Sequence, residues 1–314
     1  MAFNVWYALL AFVPATALSE ISLMQHLVPF RRAEVMHSVK QHTGKRAGFL
    51  LLAFQRTGTH WLTSALMQHS CIDVQPEVFY LEPDESSTMT WDSATRRAAT
   101  ELYFRDRDAD AAELSDFSTS FRVYYNRSRS WLQNEGRAAI GFNLKVNEGF
   151  AEDWDIWLKS FATQTQLRII WLQRQNILRS ILSALILQET GVSSIPGDSE
   201  AVPEVMKLEV RPSYILYELQ RITNETQHVE KRLAQANELG IPVLRMYYET
   251  LSAHIGPTAL SLYSSSGCID HTPTERGLTV SQKMHNASVR EMVSNIEELE
   301  TVLNGTDYEW MMSE

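Results

Sequence analysis

The sequence predicts an α/β fold with a mostly parallel central sheet flanked by helices. Largely apolar segments of strand length occur at 49–54, 167–172 and 241–247, as expected for strands buried on both faces. Helical patterns follow the first two segments and precede the third. This alternation of strands and helices is typical of parallel sheets covered on both faces. Ligands of such sheets bind at the carboxyl ends of the strands, so the loops that begin near residues 55 and 173 are the first candidates for a site.

The first of these loops has the features of an anion-binding turn. Polar residues 55–60 interrupt the apolar run, and Trp61 and Leu62 then begin a helical pattern, which predicts a helix that starts near Thr59. The free N–H groups of a first helical turn, together with the positive end of the helix dipole, attract phosphate groups. Arg56 adds a positive charge. The alternative is an ordinary strand-to-helix turn in which Gly58 only satisfies a backbone requirement.

The second loop repeats this arrangement. The strand at 167–172 runs through Gln173, Arg174 and Gln175 into a helix predicted at about 176–188. A third strand, predicted at 138–146, carries Lys145 near its end.

The remaining elements are predicted from local pattern. Residues 94–104 favour a helix, whereas 105–137 are charged and weakly patterned. Strand character is present at Val74 and at 78–80, with Pro76 as a break. A long loop is predicted at 189–211. An amphipathic helix then runs from Pro212 to about Leu239, with Gly240 as its C-terminal stop.

Composition restricts the class of protein. The chain has 314 residues, of which 44% are hydrophobic, so a single large α/β domain is expected. The formal net charge of −10 argues against a general binder of nucleic acid or of anionic membranes. A polyanionic ligand must therefore be held by a local cluster of basic groups. No His, Cys and Asp cluster with metal-ligand spacing is evident, so no metal is predicted.

The N-terminal sequence predicts that the protein enters the secretory pathway and is located in the Golgi lumen or secreted. Residues 5–13 form an apolar segment, and Ala15 and Ala17 suit a signal peptidase, so residues 1–17 are interpreted as a signal peptide. The segment before it lacks Lys and Arg. A short uncleaved anchor and an ordinary N-terminal core helix are the alternatives, although the apolar run is shorter than the ~20 residues that span a bilayer. Residues 18–45 then form a lead-in, and 46–314 the catalytic domain.

Further features favour a lumenal glycoprotein. Asn-x-Ser/Thr triplets begin at Asn126, Asn224, Asn286 and Asn304. The two cysteines, Cys71 and Cys268, either form one disulfide or remain buried thiols.

Several stretches together resemble the sulfotransferases that use 3'-phosphoadenosine-5'-phosphosulfate, nearest the carbohydrate-acting branch. Gln55–Leu62 is similar to the family's 5'-phosphosulfate loop, Arg/Lys-Ser/Thr-Gly-Ser/Thr-x-x-Leu. Leu172–Ser183 is similar to its 3'-phosphate motif, with an Arg after a strand and a Ser inside the next helix. Weaker similarities occur at 141–145, 244–251, 279–283 and 295–311. The resemblance implies a P-loop-like sulfotransferase fold.

The resemblance also implies a donor site. It assigns the 5'-phosphate to the loop residues Thr57, Gly58, Thr59, His60 and Trp61. Arg56 would stabilise the leaving oxygen, and Arg174 and Ser183 would hold the 3'-phosphate. The spacing from Arg174 to Ser183 is one residue longer than in the commonest version of the motif, so Arg179 is a further candidate. Lys283 and Lys145 either add charge to the donor site or are surface lysines. The alternative for Arg174 and Arg179 is a solvated charge at the start of a helix.

An acceptor hydroxyl needs a general base, for which Glu77 is the first candidate. Similar enzymes often carry a Glu beside the donor at this place, and the alternative is a solvated loop carboxylate. His60 is the competing base, although lining the helix N-terminus is the favoured interpretation. Trp154 and Trp157 are interpreted as core rather than as a sugar platform, and Glu249 as structural.

Two other functions stay open. A P-loop kinase or NTPase is disfavoured because the loop lacks Gly-x4-Gly-Lys-Ser/Thr. A non-catalytic protein that kept the fold is expected to have lost Arg56 or Glu77, and both are present. The resemblance implies a glycan, or another molecule that bears a hydroxyl group, as the acceptor. The sequence fixes neither the identity of the acceptor nor the oligomeric state.

Overall fold

The central feature of the computed structural model is one sheet of five parallel strands. The structure describes residues 47–67, 72–79, 91–104, 109–135, 139–150, 153–155, 167–191, 207–253 and 287–313, all within the compact unit Arg46–Glu314. The strands are β1 (Ala47–Ala53), β2 (Ile72–Glu77), β3 (Ala139–Lys145), β4 (Arg168–Gln173) and β5 (Val243–Tyr247). Their spatial order is β2-β3-β1-β4-β5, with every neighbouring pair parallel. The predicted parallel α/β architecture is confirmed.

Helices connect the strands. In chain order they are α1 (Thr59–Met67), α2 (Ser93–Phe104), α3 (Ala111–Ser115), α4 (Thr119–Glu135), α5 (Ile177–Thr190), α6 (Pro212–Glu238), α7 (Tyr248–Ala253), α8 (Val289–Met292) and α9 (Ile296–Leu303). A π-type turn, Val146–Phe150, follows β3, and a 3-10 turn, Glu309–Met312, follows α9. The predicted starts of α1, α5 and α6 are confirmed.

Helices cover both faces of the sheet, and successive residues of β1 therefore pack into two different cores. Leu50 and Leu52 join the core beneath α2, α4 and α6, whereas Phe49 and Leu51 join the core beneath α1. This alternation follows from the two-residue period of a strand. The central strand therefore has no solvated face, which explains its continuous apolar sequence. Trp154 is 2% exposed in the first of these cores, as its core interpretation predicted.

Two sequence predictions are wrong. The weakly patterned stretch 105–137, in which no helix was predicted, contains α3 and α4, and their buried side chains include Leu114, Phe121 and Tyr125. Together with the buried Phe117, these apolar positions recur at intervals of three or four residues and carry the helical signal among many charges. The second strand is not centred on 78–80, because β2 includes Pro76 and ends at Glu77.

Several predictions fall on residues outside the described ranges. These are the N-terminal segments 1–17 and 18–45, and the residues Cys71, Trp157, Cys268, Lys283 and Asn286. The other three Asn-x-Ser/Thr triplets are described. Asn126 and Asn224 lie within α4 and α6, Asn304 follows α9, and all three are exposed. Among the described residues, no helix is both long enough and apolar enough to cross a membrane.

Asn176 fixes the start of α5 against the C-terminal segment. Its Oδ1 accepts from the Arg179 N–H at 3.1 Å, as an N-cap does, and its Nδ2 donates to the Met311 carbonyl at 2.9 Å. The residue is fully buried. Position and orientation of α5, which carries one of the two basic turns, thus depend on this amide.

We expect Asn176→Ala to lower the free energy of unfolding by about 2–4 kcal/mol, because it removes a cap and leaves the buried Met311 carbonyl unpaired. Asp110→Ala is the matched control, since Asp110 caps α3 at the surface and its loss should cost only about 1 kcal/mol. Urea unfolding followed by circular dichroism measures both values. Equal losses would contradict the anchoring role of Asn176.

Candidate active site

The loop between β1 and α1 turns sharply at the carboxyl edge of the sheet. Arg56 and Gly58 both have left-handed backbone angles, with φ of 63° and 88°. The buried Thr57 hydroxyl donates to the Phe54 carbonyl at 2.8 Å, and the Leu62 N–H donates to the Gly58 carbonyl at 3.1 Å. The turn therefore presents the first N–H groups of α1 at the edge where ligands of parallel sheets bind.

Tyr248 packs directly beneath this turn. A Cβ atom at Gly58 would lie 2.4 Å from Cδ2 of the Tyr248 ring, so a larger residue requires the ring to shift. On the same ring, the guanidinium carbon of Arg174 lies 5.0 Å from the centroid, which is a cation–π distance. Tyr248 thus contacts both basic turns and fixes their separation.

The two basic turns also bond to each other. Arg56 Nε donates to Ser183 Oγ at 3.1 Å, and the Arg56 carbonyl accepts from Arg174 Nη1 at 3.3 Å and from Ser180 Oγ at 3.5 Å. Arg56 and Arg174 are 118 residues apart in sequence. The structure therefore brings together three of the predicted site residues, Arg56, Arg174 and Ser183, at one edge of the sheet.

Both arginines are partly desolvated. Burial lowers the pKa of Arg56 and of Arg174, which means that the surroundings disfavour their positive charges. The buried Nε of Arg174 has no hydrogen-bond partner among the described residues. A partly buried guanidinium with an unused donor is unfavourable until an anion supplies the acceptor. This pair of turns has the electrostatics of an anion site.

Arg179 and Glu249 stabilise the backbone around the second basic turn, which leads from β4 into α5. Nη2 of Arg179 donates to the Ala287 carbonyl at 2.8 Å, which links α5 to the segment before α8. Glu249 accepts from the Gln175 and Asn176 N–H groups at 3.0 and 3.3 Å. Glu249 thus holds the backbone that leads into α5, which agrees with its interpretation as a structural residue.

A β-bulge directs Glu77 into the site. Gln75 pairs with Phe142 and Glu77 pairs with Asn143, so that two residues of β2, Pro76 and Glu77, oppose one residue of β3. The extra residue reverses the alternation of β2, and Glu77 shares the face of Asn143 and Lys145. Pro76 suits this place because it has no N–H to donate to the ladder. A regular strand would turn Glu77 to the opposite face.

Lys145 is the partner of Glu77 and is not a surface lysine. It is 2% exposed, and its Nζ lies 3.1 Å from Glu77 Oε1 and 2.8 Å from Thr59 Oγ1. Burial lowers the pKa of Lys145, and the attraction of Glu77 opposes that effect. The Glu77 side chain is still 31% exposed, so one side of its carboxylate faces solvent. The surface-lysine alternative for Lys145 is wrong.

His60 and Trp61 lie in the first turn of α1. Desolvation lowers the pKa of His60, Lys145 and Arg56 lower it further, and Glu77 opposes them. The imidazole is thus predominantly neutral at pH 7. The side chain of His60 is exposed, whereas Trp61 is half-buried against the core beneath α1.

Sequence reasoning did not find Tyr248, Ser180 or Glu148 as contributors to this region. Tyr248 follows the last residue of β5 directly, and its position at a strand end was an available signal. Glu148 lies three residues beyond β3, beside Gly149 with φ of 88°. Among the described residues, no group of three or more His, Cys, Asp and Glu side chains is arranged to hold a metal ion.

Comparison with known proteins gives only distant likenesses. No family model and no curated protein matches the chain. Several solved structures resemble it, and three of them are each 12–13% identical in sequence with TM-scores of 0.39–0.41. The sulfotransferase domain of the olefin synthase of Synechococcus PCC 7002 is 12% identical with a TM-score of 0.39, over 73% of this chain and 75% of that one.

The other two are also sulfotransferases. The enzyme from Alicyclobacillus acidocaldarius is 13% identical with a TM-score of 0.39, over 76% of this chain and 87% of that one. The sulfotransferase domain of the curacin biosynthetic pathway is 13% identical with a TM-score of 0.41, over 87% of this chain and 90% of that one. The function of this chain is therefore inferred from the geometry of its own site.

Gly58→Ala should distort the loop more than backbone strain alone explains, because the added methyl group overlaps the Tyr248 ring. Gly191→Ala is the matched control, since Gly191 also has a positive φ, of 70°, but no neighbouring atom of the described residues within 4 Å of the added Cβ. We expect a loss of about 1 kcal/mol for the control and about 2–4 kcal/mol for Gly58→Ala, measured by urea unfolding. Similar losses would show that Tyr248 moves aside at little cost.

Proposed function

We propose that this protein is a sulfotransferase that moves a sulfuryl group from 3'-phosphoadenosine-5'-phosphosulfate to an acceptor hydroxyl. The observation that carries the proposal is the contact between two basic turns, Arg56 with Ser183 and Arg174 with the Arg56 carbonyl, beside the Glu77–Lys145 pair. Two anion-binding turns suit a donor with phosphate groups at two ends. The carboxylate beside them suits proton removal from the acceptor.

The loop would hold the 5'-phosphosulfate end of the donor. The N–H groups at the start of α1 bind an anion without any side-chain charge, and Arg56 adds a permanent one. Arg174 and Ser183 would then hold the 3'-phosphate. The buried, unpartnered Nε of Arg174 supports this assignment, because a phosphate oxygen supplies the acceptor that the described residues do not.

Sulfuryl transfer is a displacement in line at sulfur. The acceptor oxygen forms a bond to sulfur, the bond from sulfur to the bridging phosphate oxygen breaks, and adenosine 3',5'-bisphosphate leaves. Charge develops on the leaving oxygen and on the sulfuryl oxygens, as in phosphoryl transfer. Arg56 is the fixed cation on the loop and would stabilise the leaving oxygen. Positioning by the two turns supplies most of the remaining catalysis.

Glu77 would take the proton of the acceptor hydroxyl. Its Oε1 is held by Lys145 at 3.1 Å, while the partly exposed remainder of the carboxylate faces the solvent side. Lys145 has three N–H donors, of which two are used by Glu77 and Thr59, and the third has no acceptor among the described residues. That donor is available to a sulfuryl oxygen. Lys145 would thus have two roles: it would orient the base, Glu77, and it would stabilise the transferred sulfuryl group.

The proposal extends to a carbohydrate hydroxyl as acceptor and to the lumen of the secretory pathway as location. These choices follow from the sequence resemblance and from the N-terminal segment, and the geometry of the site is compatible with other hydroxyl acceptors. A panel of glycan, phenolic and small aliphatic acceptors, assayed with labelled donor, distinguishes them.

Calorimetry and transfer of radiolabelled sulfate test the donor. We expect adenosine 3',5'-bisphosphate to bind more tightly than ATP, and Arg56→Ala to lower sulfuryl transfer by roughly 100- to 1,000-fold, because one fixed cation at the leaving oxygen is lost. Arg221→Ala is the matched control, as Arg221 pairs only with Glu218 and Glu225 on α6 in the described contacts. Preference for ATP would refute the proposal.

The base is tested by Glu77→Gln, which keeps an oxygen for Lys145 but cannot accept the proton. We expect the rate constant for transfer to fall by roughly 100- to 10,000-fold, and the dissociation constant for adenosine 3',5'-bisphosphate to change little. Glu225→Gln on α6 is the control. A loss confined to binding would argue that Glu77 only positions Lys145.

A further inference from the structure

A third carboxylate, that of Glu148, lies beside the Glu77–Lys145 pair. Glu148 belongs to the π-type turn that ends β3, and its Oε2 accepts from the backbone N–H of Lys145 at 2.7 Å. The hydrogen bond holds the main chain of the lysine, whose ammonium group is held by Glu77 and Thr59. Glu148 therefore contacts the residue that holds the base, although it was not among the predicted site residues.

The turn itself is held by a second ion pair. Arg96 Nε lies 2.7 Å from Asp153 Oδ2, and Arg96 Nη1 also donates to the Trp91 carbonyl. The guanidinium packs against Gly149, where a Cβ atom would lie 2.3 Å from Arg96 Nη2. The Gly149 carbonyl accepts from the Asp153 N–H at 2.9 Å. Arg96 and Asp153 thus fix the turn in the conformation that places Glu148 beside Lys145.

The charges around Glu148 do not balance. The groups that face it are Lys145 from β3, Glu77 from β2 and Arg96 from α2. Each of the two cations already has a carboxylate at ion-pair distance, Lys145 with Glu77 and Arg96 with Asp153. Glu148 is the carboxylate left over, and a partly buried carboxylate without its own cation favours the protonated form.

We propose that Glu148 is a positioning residue that holds a proton while the polyanionic donor is bound, and so keeps the Lys145–Glu77 pair free of a second negative charge. The inference rests on the proposed function for the identity of the anion. Protonation leaves Lys145 with one carboxylate partner and a donor for the incoming anion. Ionisation of Glu148 adds a negative charge next to the site and weakens the binding of phosphate and sulfate groups.

The ionisation of Glu148 falls in the range where the protein would work. Burial raises the pKa of Glu148 to about 7, and Glu77 raises it, whereas Lys145, Arg96 and the hydrogen bond from the Lys145 N–H lower it. A bound anion favours the protonated form still more. By reciprocity, binding of the anion should be accompanied by proton uptake near pH 7.

The first experiment needs no ligand and uses Glu148→Gln, which keeps an oxygen for the Lys145 N–H but does not titrate. The folded pKa of Glu148, about 7, lies above the ordinary value of 4.5, so the folded protein binds the proton more tightly than the unfolded chain. The free energy of unfolding of the wild type, relative to the variant, should therefore fall as pH rises from about 4.5 to about 7 and then stay constant. A difference that does not change with pH overturns the proposal, whatever ligand the site binds.

The second experiment measures anion binding by calorimetry with adenosine 3',5'-bisphosphate as the probe. Between one pH unit below and one above the Glu148 pKa of about 7, the ratio of wild-type to Glu148→Gln dissociation constants should rise by roughly three- to tenfold. Comparison of the two proteins cancels the titrations of the probe and of His60. The wild type should also take up more protons on binding than the variant, as shown by buffers of different ionisation enthalpy.

Controls separate the possible failures. Glu113→Gln changes a carboxylate that accepts a backbone N–H at the start of α3, and it should show neither the pH-dependent stability nor the change in binding. Absence of bisphosphate binding in every protein would refute the proposed function, and the stability measurement would still decide the protonation of Glu148. Equal proton uptake by wild type and variant overturns the proposal. If the variant does not fold, infrared spectroscopy of the wild type decides, since a protonated carboxyl band must disappear as pH passes 7.

Discussion

The ammonium group of Lys145 is the interaction on which the arrangement of the site depends. A lysine that is 2% exposed must be compensated where it lies, and Thr59 and Glu77 supply that compensation. Through Thr59 the ammonium is tied to the first turn of α1, and through Glu77 to the end of β2. Three neighbouring elements of the sheet edge therefore meet at one cation, which keeps the loop and the carboxylate in a fixed relation.

This cation explains why the sheet departs from regularity beside it. A regular β2 would direct Glu77 away from Lys145 and leave the buried ammonium without its ion-pair partner, which is a costly state. The bulge at Pro76 corrects the direction by one residue. A similar compensation holds the second half of the site, where Tyr248 and the Arg56 carbonyl support the Arg174 guanidinium. The site is thus assembled from contacts between strand ends, and no single motif contains it.

The sequence predicted what depends on local pattern. The two basic turns, the start of α1 at Thr59 and the stop of α6 before Gly240 follow from residues that lie next to each other. The contact of Arg56 with Ser183 agrees with the pairing of the two motifs, although it is a contact between distant parts of the chain. Helix α4 was missed because its apolar residues are sparse among charged ones, and its stability comes from the core it covers.

What the sequence could not predict is the neighbourhood of each charge. Lys145 reads as an ordinary lysine at a strand end until β2 is known to pair with β3, because only that pairing brings Glu77 within reach. Glu148 is a further case. Nothing in its local sequence distinguishes it from a solvated turn residue, and its significance appears only when the partners of Lys145 and Arg96 are both assigned.

The balance of charges at this edge also limits how an acidic chain can hold a polyanion. With a net charge of −10, the protein as a whole repels such a ligand, so the affinity must come from cations whose own carboxylates do not cancel them. Arg174 meets this condition by stacking on an aromatic ring. Lys145 meets this condition only in part, because the carboxylate of Glu77, which is also the proposed base, offsets some of its charge. A second ionised carboxylate beside Lys145 would remove that remaining attraction, which is why the protonation of Glu148 matters to the site as a whole.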